Sequence, residues 1–288
     1  MTGIAKWLAT HRVGRIMLTA LLYPVFGLLS AAIVVMNAQL RGPREALTDC
    51  LLAFAVLTLA GFAAGMDLPV LLAGAAVSWA AWLILGSVKA TTGSLTLALQ
   101  TAVMLAALAG FGFLLWGYDP ADYGREILES FFEPLSEQDP GLDIDEEAWA
   151  RLIGVMMLPA TLVGWVIALL FGGALAGRVQ PEQAPKQFRD LRMGVVIGVL
   201  AAIAGVGAIF SRAADGLLLL FTVGFMFHGL AVLVWWAEQR KWPQGWWIGL
   251  CILPILLPDF FVITALLLAA IGFVDNWFDM RRVPAGRA

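Results

Sequence analysis

The sequence predicts an all-α, polytopic transmembrane helix bundle, on three observations. Apolar residues make up 61% of 288 positions, while charged residues make up only 14%. A soluble domain carries about 25% charge and could not cover its surface with so little. The mean hydropathy is +0.86. Finally, the apolar residues form continuous stretches rich in Leu, Ala, Val and Ile. Stretches of about 20 such residues match a hydrocarbon layer roughly 30 Å thick. A lipid-facing β-barrel would show short alternating segments instead, and a helix satisfies its own backbone groups in lipid.

The first element is a lead-in over residues 1–15, where Lys6, Arg12 and Arg15 flank Trp7 and Leu8. It reads as an interfacial or cytoplasmic segment. The apolar stretch that follows is too long for a signal-peptide core and lacks a small-x-small cleavage site. About eight hydrophobic segments are expected, near 16–39, 47–65, 68–88, 94–117, 152–177, 194–211, 216–237 and 245–277. Pro24 interrupts the first segment, and Pro258 with Asp259 interrupts the last. Proline removes a backbone donor and clashes with the preceding turn, so both segments are expected to break there. The whole chain reads as one transmembrane domain, 1–288, carrying an acidic extracytoplasmic insertion at 118–150.

That insertion holds 11 of the 21 acidic residues and one basic residue, Arg125; elsewhere 17 basic residues face 10 acidic ones. Its Asp143, Asp145, Glu146 and Glu147 lack the spacing of a calcium loop, which favours a solvated loop. Within it, Ile127, Leu128, Phe131 and Phe132 fall at helical spacing, the pattern of a short amphipathic helix.

Lysine and arginine in short loops set the orientation. Arg178, Lys186, Arg189 and Arg192 mark 178–193 as cytoplasmic, as do Arg240, Lys241, Arg281, Arg282 and Arg287 for the loop after 237 and the C-terminus. Alternation then puts 118–150 outside, and Arg41 with Arg44 inside. The basic N-terminus must lie inside too, although 24 helical residues cross the bilayer only once. A hairpin of two half-helices broken at Pro24 resolves the conflict; a single span with its N-terminus outside is the alternative.

Small residues let helices approach closely in lipid. Gly61/Gly65, Gly173/Gly177 and Gly194/Gly198 form Gly-x-x-x-Gly steps, so packing seams are expected there. Eight tryptophans, Trp116 and Trp149 among them, sit at segment ends as an interfacial belt would. Cys50 and Cys251 lie in apolar surroundings and read as buried thiols.

Intramembrane polar groups are costly and therefore candidates for function. Those singled out for binding are Asn37, Gln100, His228 and Asp259. Three of them have a simpler role open: hydrogen bonding across helices for Gln100 and His228, and N-capping for Asp259 after its helix break. No P-loop, Ser-His-Asp, His-Glu-x-x-His or paired-carboxylate pattern is present, so neither enzymatic activity nor a metal, cofactor or nucleic-acid partner is expected.

Two stretches carry a family resemblance. Phe188-Arg189-Asp190-Leu191-Arg192-Met193-Gly194 is similar to a Phe-x-x-Leu-Arg signature before a late helix. Gly272-Phe-Val-Asp275-Asn276-Trp277-Phe278-Asp279-Met-Arg281-Arg282 is similar to a closing Gly-x-x-Asp-x-Trp-x-Asp-x-Arg-Arg/Lys pattern. With the early Leu40-Arg41-Gly42 turn, the chain resembles the YybS-like bacterial membrane proteins, domain-of-unknown-function family 2232. That family is distantly similar to the S components of energy-coupling-factor transporters and to the rod-shape protein MreD. The resemblance implies a bacterial inner-membrane protein with a salt-linked cytoplasmic end built from Arg189, Arg192, Asp275, Asp279, Arg281 and Arg282. Its expected role is a small-solute transport or substrate-binding subunit, with a membrane coupling protein and an ATPase as partners. The alternative is a non-transporting scaffold that binds envelope proteins.

Overall fold

The computed structural model describes residues 2–117, 119–136, 145–181, 188–243, 245–246 and 258–282. Among the described residues eleven α-helices run in order: α1 (Thr2–Thr10), α2 (Arg12–Leu22), α3 (Gly27–Arg41), α4 (Pro43–Ala63), α5 (Leu68–Thr92), α6 (Leu95–Leu115), α7 (Pro120–Ser136), α8 (Glu146–Val179), α9 (Gly194–Phe210), α10 (Asp215–Gln239) and α11 (Pro258–Phe278). No strand occurs among the described residues. Six of the helices are long and apolar enough to cross a membrane, the make-up of an integral membrane protein.

Eight full segments are not confirmed. The stretch 16–39 is divided between α2 and α3, of 11 and 15 residues. The stretch 194–211 gives α9, whose 17 residues extend only about 26 Å at 1.5 Å each. Hydropathy reports that a stretch is apolar, while its helical length decides whether it spans. Of the segment 245–277, helix α11 starts at Pro258 as the proline predicts, and 247–257 lies outside the described residues.

The chain forms two compact units, and α6 and α8 contribute to both. Unit 1 comprises 1–102 and 163–188. Its centre is α3, in which every residue from Ser30 to Gln39 is buried; a helix apolar on all sides is one surrounded by others. Helices α2 and α3 make the predicted hairpin. The chain leaves helix at Tyr23-Pro24, Ser30 Oγ donates to the Thr19 carbonyl at 2.7 Å, and Arg41 Nη2 donates to the Ala9 carbonyl at 2.6 Å. Both outer ends therefore lie at one end of the unit. Trp79 Nε1 on α5 donates to Ser30 Oγ at 3.2 Å, fixing the hairpin to its neighbour. Helix α1 turns Ala5 and Leu8 inward, and Leu8 packs with Ile33, Met36 and Ala176.

Unit 2 comprises 103–162 and 189–288. Helix α7 is the amphipathic helix expected in the acidic insertion, with Leu128 buried; the Phe131 and Phe132 side chains lie outside the described residues. It presses on the start of α8: a Cβ at Gly124 would collide with the Ala150 carbonyl, and one at Gly154 with the Pro120 carbonyl. Arg125 links Asp122 at 2.7 Å to Glu147 at 3.2 Å. Helices α10 and α11 also cross closely. A Cβ at Gly229 would fall on the Leu268 carbonyl, and one at Gly272 on the Phe225 carbonyl.

The tightest seams thus miss the Gly-x-x-x-Gly steps. Gly65 and Gly194 have positive φ, +66° and +79°, so they shape turns at helix ends. Gly61 meets the side chains of Leu68 and Leu71, and Gly198 meets Asn276 and Trp277. Spacing identifies a small-residue face without saying whether a partner approaches it.

Candidate functional site: a buried charge cluster

The C-terminal end of α11 is built to fold back on itself. Asp279 takes a left-handed conformation, φ +47°, which Asp tolerates better than most side chains. Its N–H donates to the Asp275 carbonyl at 2.8 Å, closing the last turn. A 3-10 turn over Met280–Arg282 follows and brings Arg281 back over Asp275, six positions earlier.

Arg281 there uses every part of its guanidinium. Nε and Nη2 donate to Asp275 Oδ2 at 3.1 and 2.8 Å. Nη1 donates to the Arg189 carbonyl at 2.6 Å, and Nη2 to the Leu191 carbonyl at 2.9 Å. Asp275 Oδ2 also lies 2.9 Å from His228 Nε2, which itself lies 2.9 Å from Arg281 Nη2. The side chains of His228, Asp275 and Arg281 are 0%, 1% and 4% exposed. Leu191 and Met193 are buried, and Phe225 stacks at 6.2 Å from the His228 ring. Burial lowers the Arg281 pKa, with Asp275 opposing; a guanidinium starts high enough to stay charged.

Outside this centre the same elements are tied by more exposed ion pairs. Arg189 reaches Glu238 at 2.7 Å, and Arg192 reaches Asp279 at 2.8 Å. Glu238 raises the Arg189 pKa. Asn276 Nδ2 donates to the Gly194 carbonyl at 3.1 Å. Because Arg189 bonds both Glu238 and Arg281, the C-terminal ends of α10 and α11 meet at one end of the unit.

The three-way contact cannot be fully satisfied by one arrangement of protons. Arg281 only donates, so its bond to Nε2 needs that nitrogen bare; a bond from Nε2 to Asp275 needs it protonated. Meanwhile His228 Nδ1 and Asp275 Oδ1 are buried without a partner among the described residues. An unmet polar atom in so dry a place costs about 1–3 kcal/mol. Geometrically, the cluster can hold a proton in more than one position.

Unit 1 contains a second buried pair. Arg15 donates to Asp49 Oδ2 through Nε at 2.9 Å and Nη2 at 2.6 Å, and to the Leu8 carbonyl at 2.9 Å. Arg12 Nε donates to Asp49 Oδ1 at 2.8 Å, and Asn37 Nδ2 to Oδ2 at 3.0 Å. This cluster clamps the N-terminal hairpin to α4. Arg12 is 53% exposed and Arg15 only 2%. Arg12→Ala is therefore expected to cost less than about 1 kcal/mol, read as a shift in melting temperature of the purified protein.

Of the residues chosen from sequence, His228, Arg189, Arg192, Asp275, Asp279 and Arg281 come together. Asn37 belongs to the Asp49 cluster instead, and Gln100 is half-buried on α6 in unit 1. The side chains of Asp259 and Arg282 lie outside the described residues. The sequence reading missed the Asp49–Arg15 pair. Its signal was an acid near the start of an apolar segment, with arginines three residues apart in the lead-in. Cys50 is buried, while Cys251 lies outside the described residues.

The chain matches no family model, and no curated protein or solved structure is significantly similar to it.

Proposed function

We propose that this integral membrane protein is a small-solute transport or substrate-binding subunit of the bacterial inner membrane, of the YybS-like type. The observation that carries the proposal is the His228–Asp275–Arg281 cluster, buried yet incompletely satisfied. Ionisable groups at membrane depth are expensive and by default functional. An apolar side chain would pack there at lower cost, since a buried ion pair is often replaceable without loss of stability. A cluster with more than one proton arrangement is a natural element for coupling a chemical event to movement of α10 against α11. The two stretches behind the family resemblance meet at this cluster, which supports reading them as one site. On this proposal the C-terminus and the cluster face the cytoplasm, and 118–150 faces outside.

A second reading is a non-transporting scaffold. It is favoured by the internal engagement of Asn37, Asp49 and Arg15, whose hydrogen bonds and ion pair join helices to one another.

The two readings differ in partners. The protein, tagged on the chromosome and captured in mild detergent, is expected to bring down an ATPase and a small membrane coupling protein. Capture of cell-wall or division proteins in their place would move the assignment to the scaffold.

A further inference from the structure

At the opposite end of α10 from the charge cluster, its first turns and those of α8 enclose an open groove of about 670 Å³. The floor is apolar, formed by Leu152 and Val155 of α8 and Leu218 of α10. The rim is charged, with Asp145, Arg151 and Asp215 around the mouth. Asp145 Oδ1 accepts from the Ala148 N–H at 3.1 Å. Glu147 also borders the groove but is held by Arg125 at 3.2 Å. Among the described residues neither Arg151 nor Asp215 has an ion-pair partner.

We propose that this groove is a binding site for one phospholipid with a primary ammonium headgroup. In a membrane-spanning chain the apolar floor must be covered, and hydrocarbon is what surrounds it. An acyl chain would lie along Leu152, Val155 and Leu218, which lead from the charged rim toward the apolar middle of both helices. The rim then selects the headgroup by charge. Free carboxylates at Asp145 and Asp215 attract an ammonium, and Arg151 attracts the phosphate that the same headgroup carries. An anionic headgroup lacks the ammonium and meets the carboxylates as like charge. A choline headgroup has the charge but no N–H to donate. The proposal stands independently of any transport role for the His228 cluster.

The test uses the full-length protein, stripped of lipid and exposed in detergent to equimolar phosphatidylethanolamine, phosphatidylglycerol and phosphatidylcholine, with retained lipid read by native mass spectrometry. Phosphatidylethanolamine is expected to be retained over the other two by about threefold or more, the scale of one partly exposed ion pair. Asp215→Asn should remove its advantage over phosphatidylcholine, and Leu218→Trp, which fills the groove, should remove retention of all three. Asp215→Asn keeps the side-chain volume and breaks no ion pair among the described residues, which makes it the deciding variant if Leu218→Trp does not fold. Equal retention of the three lipids would overturn the proposal, as would a preference for phosphatidylglycerol or a preference unchanged in Asp215→Asn. Binding of free ethanolamine as tight as that of the lipid would overturn it in favour of a soluble amine.

Discussion

Arg281→Ala is expected to destabilise the protein by about 3–5 kcal/mol, the cost of stranding a buried charge by removing its partner. The loss is large because one guanidinium serves four groups at once: the Asp275 carboxylate, the His228 ring, and the carbonyls of Arg189 and Leu191. The carboxylate and the ring are buried and cannot turn to water where they lie. Arg281→Lys is expected to rescue little, since an ammonium is a point donor and cannot reach carbonyls and carboxylate in one plane. Arg192→Ala supplies the contrast. Its side chain is 48% exposed, so its ion pair is worth about 1 kcal/mol or less. Thermal melting of the three variants in one detergent ranks them, and a loss at Arg281 no larger than at Arg192 would contradict the structure of the cluster.

The second large effect lies at the crossing just beneath the cluster. Gly272→Ala adds a single carbon, yet that carbon would fall on the Phe225 carbonyl oxygen. The obstacle is backbone, which cannot swing aside, so α10 and α11 must part. Overpacking usually costs about 1–3 kcal/mol, and the upper end is expected here because the seam also sets the His228–Asp275 distance. Gly229→Ala, which meets the Leu268 carbonyl, should behave alike. Gly112→Ala on α6 is the control. Nothing lies within 4 Å of its new Cβ, and alanine favours helix over glycine, so the melting temperature should hold or rise. Equal behaviour of Gly112 and Gly272 variants would mean the crossing is not as close as described.

Much of the architecture was legible from residues alone, for identifiable reasons. Basic residues on both sides of 16–39, together with its length, favour a hairpin over a single span, and the proline at 24 locates the turn. Membrane-length apolar runs follow from the thickness of hydrocarbon. The candidate site was half legible. His228 stands out because polar groups are rare in such segments, whereas Asp275 and Arg281 stand out through the family resemblance, as parts of a helix end. Their meeting depends on two things the sequence hides. One is the left-handed Asp279, which returns Arg281 onto Asp275. The other is the Gly229–Gly272 seam, which is not a Gly-x-x-x-Gly step in either helix. Asp49 escaped notice because its apolar neighbours Cys50, Leu51 and Leu52 mask a single acid. Its partner Arg15 sits in a lead-in with the amphipathic pattern of a surface segment, although its side chain is almost wholly buried.

On the proposed function the charge cluster does more than hold helices together, and replacing it whole separates these roles. In H228L/D275L/R281L no charge is stranded, so the protein is expected to reach the membrane and melt within a few degrees of the parent, as apolar replacement of buried ion clusters permits. Expressed in a strain deleted for the native chain, it should nevertheless fail to restore the growth or solute uptake that the parent restores. Full restoration by a stably folded triple variant would contradict the account and leave the cluster as a structural tie.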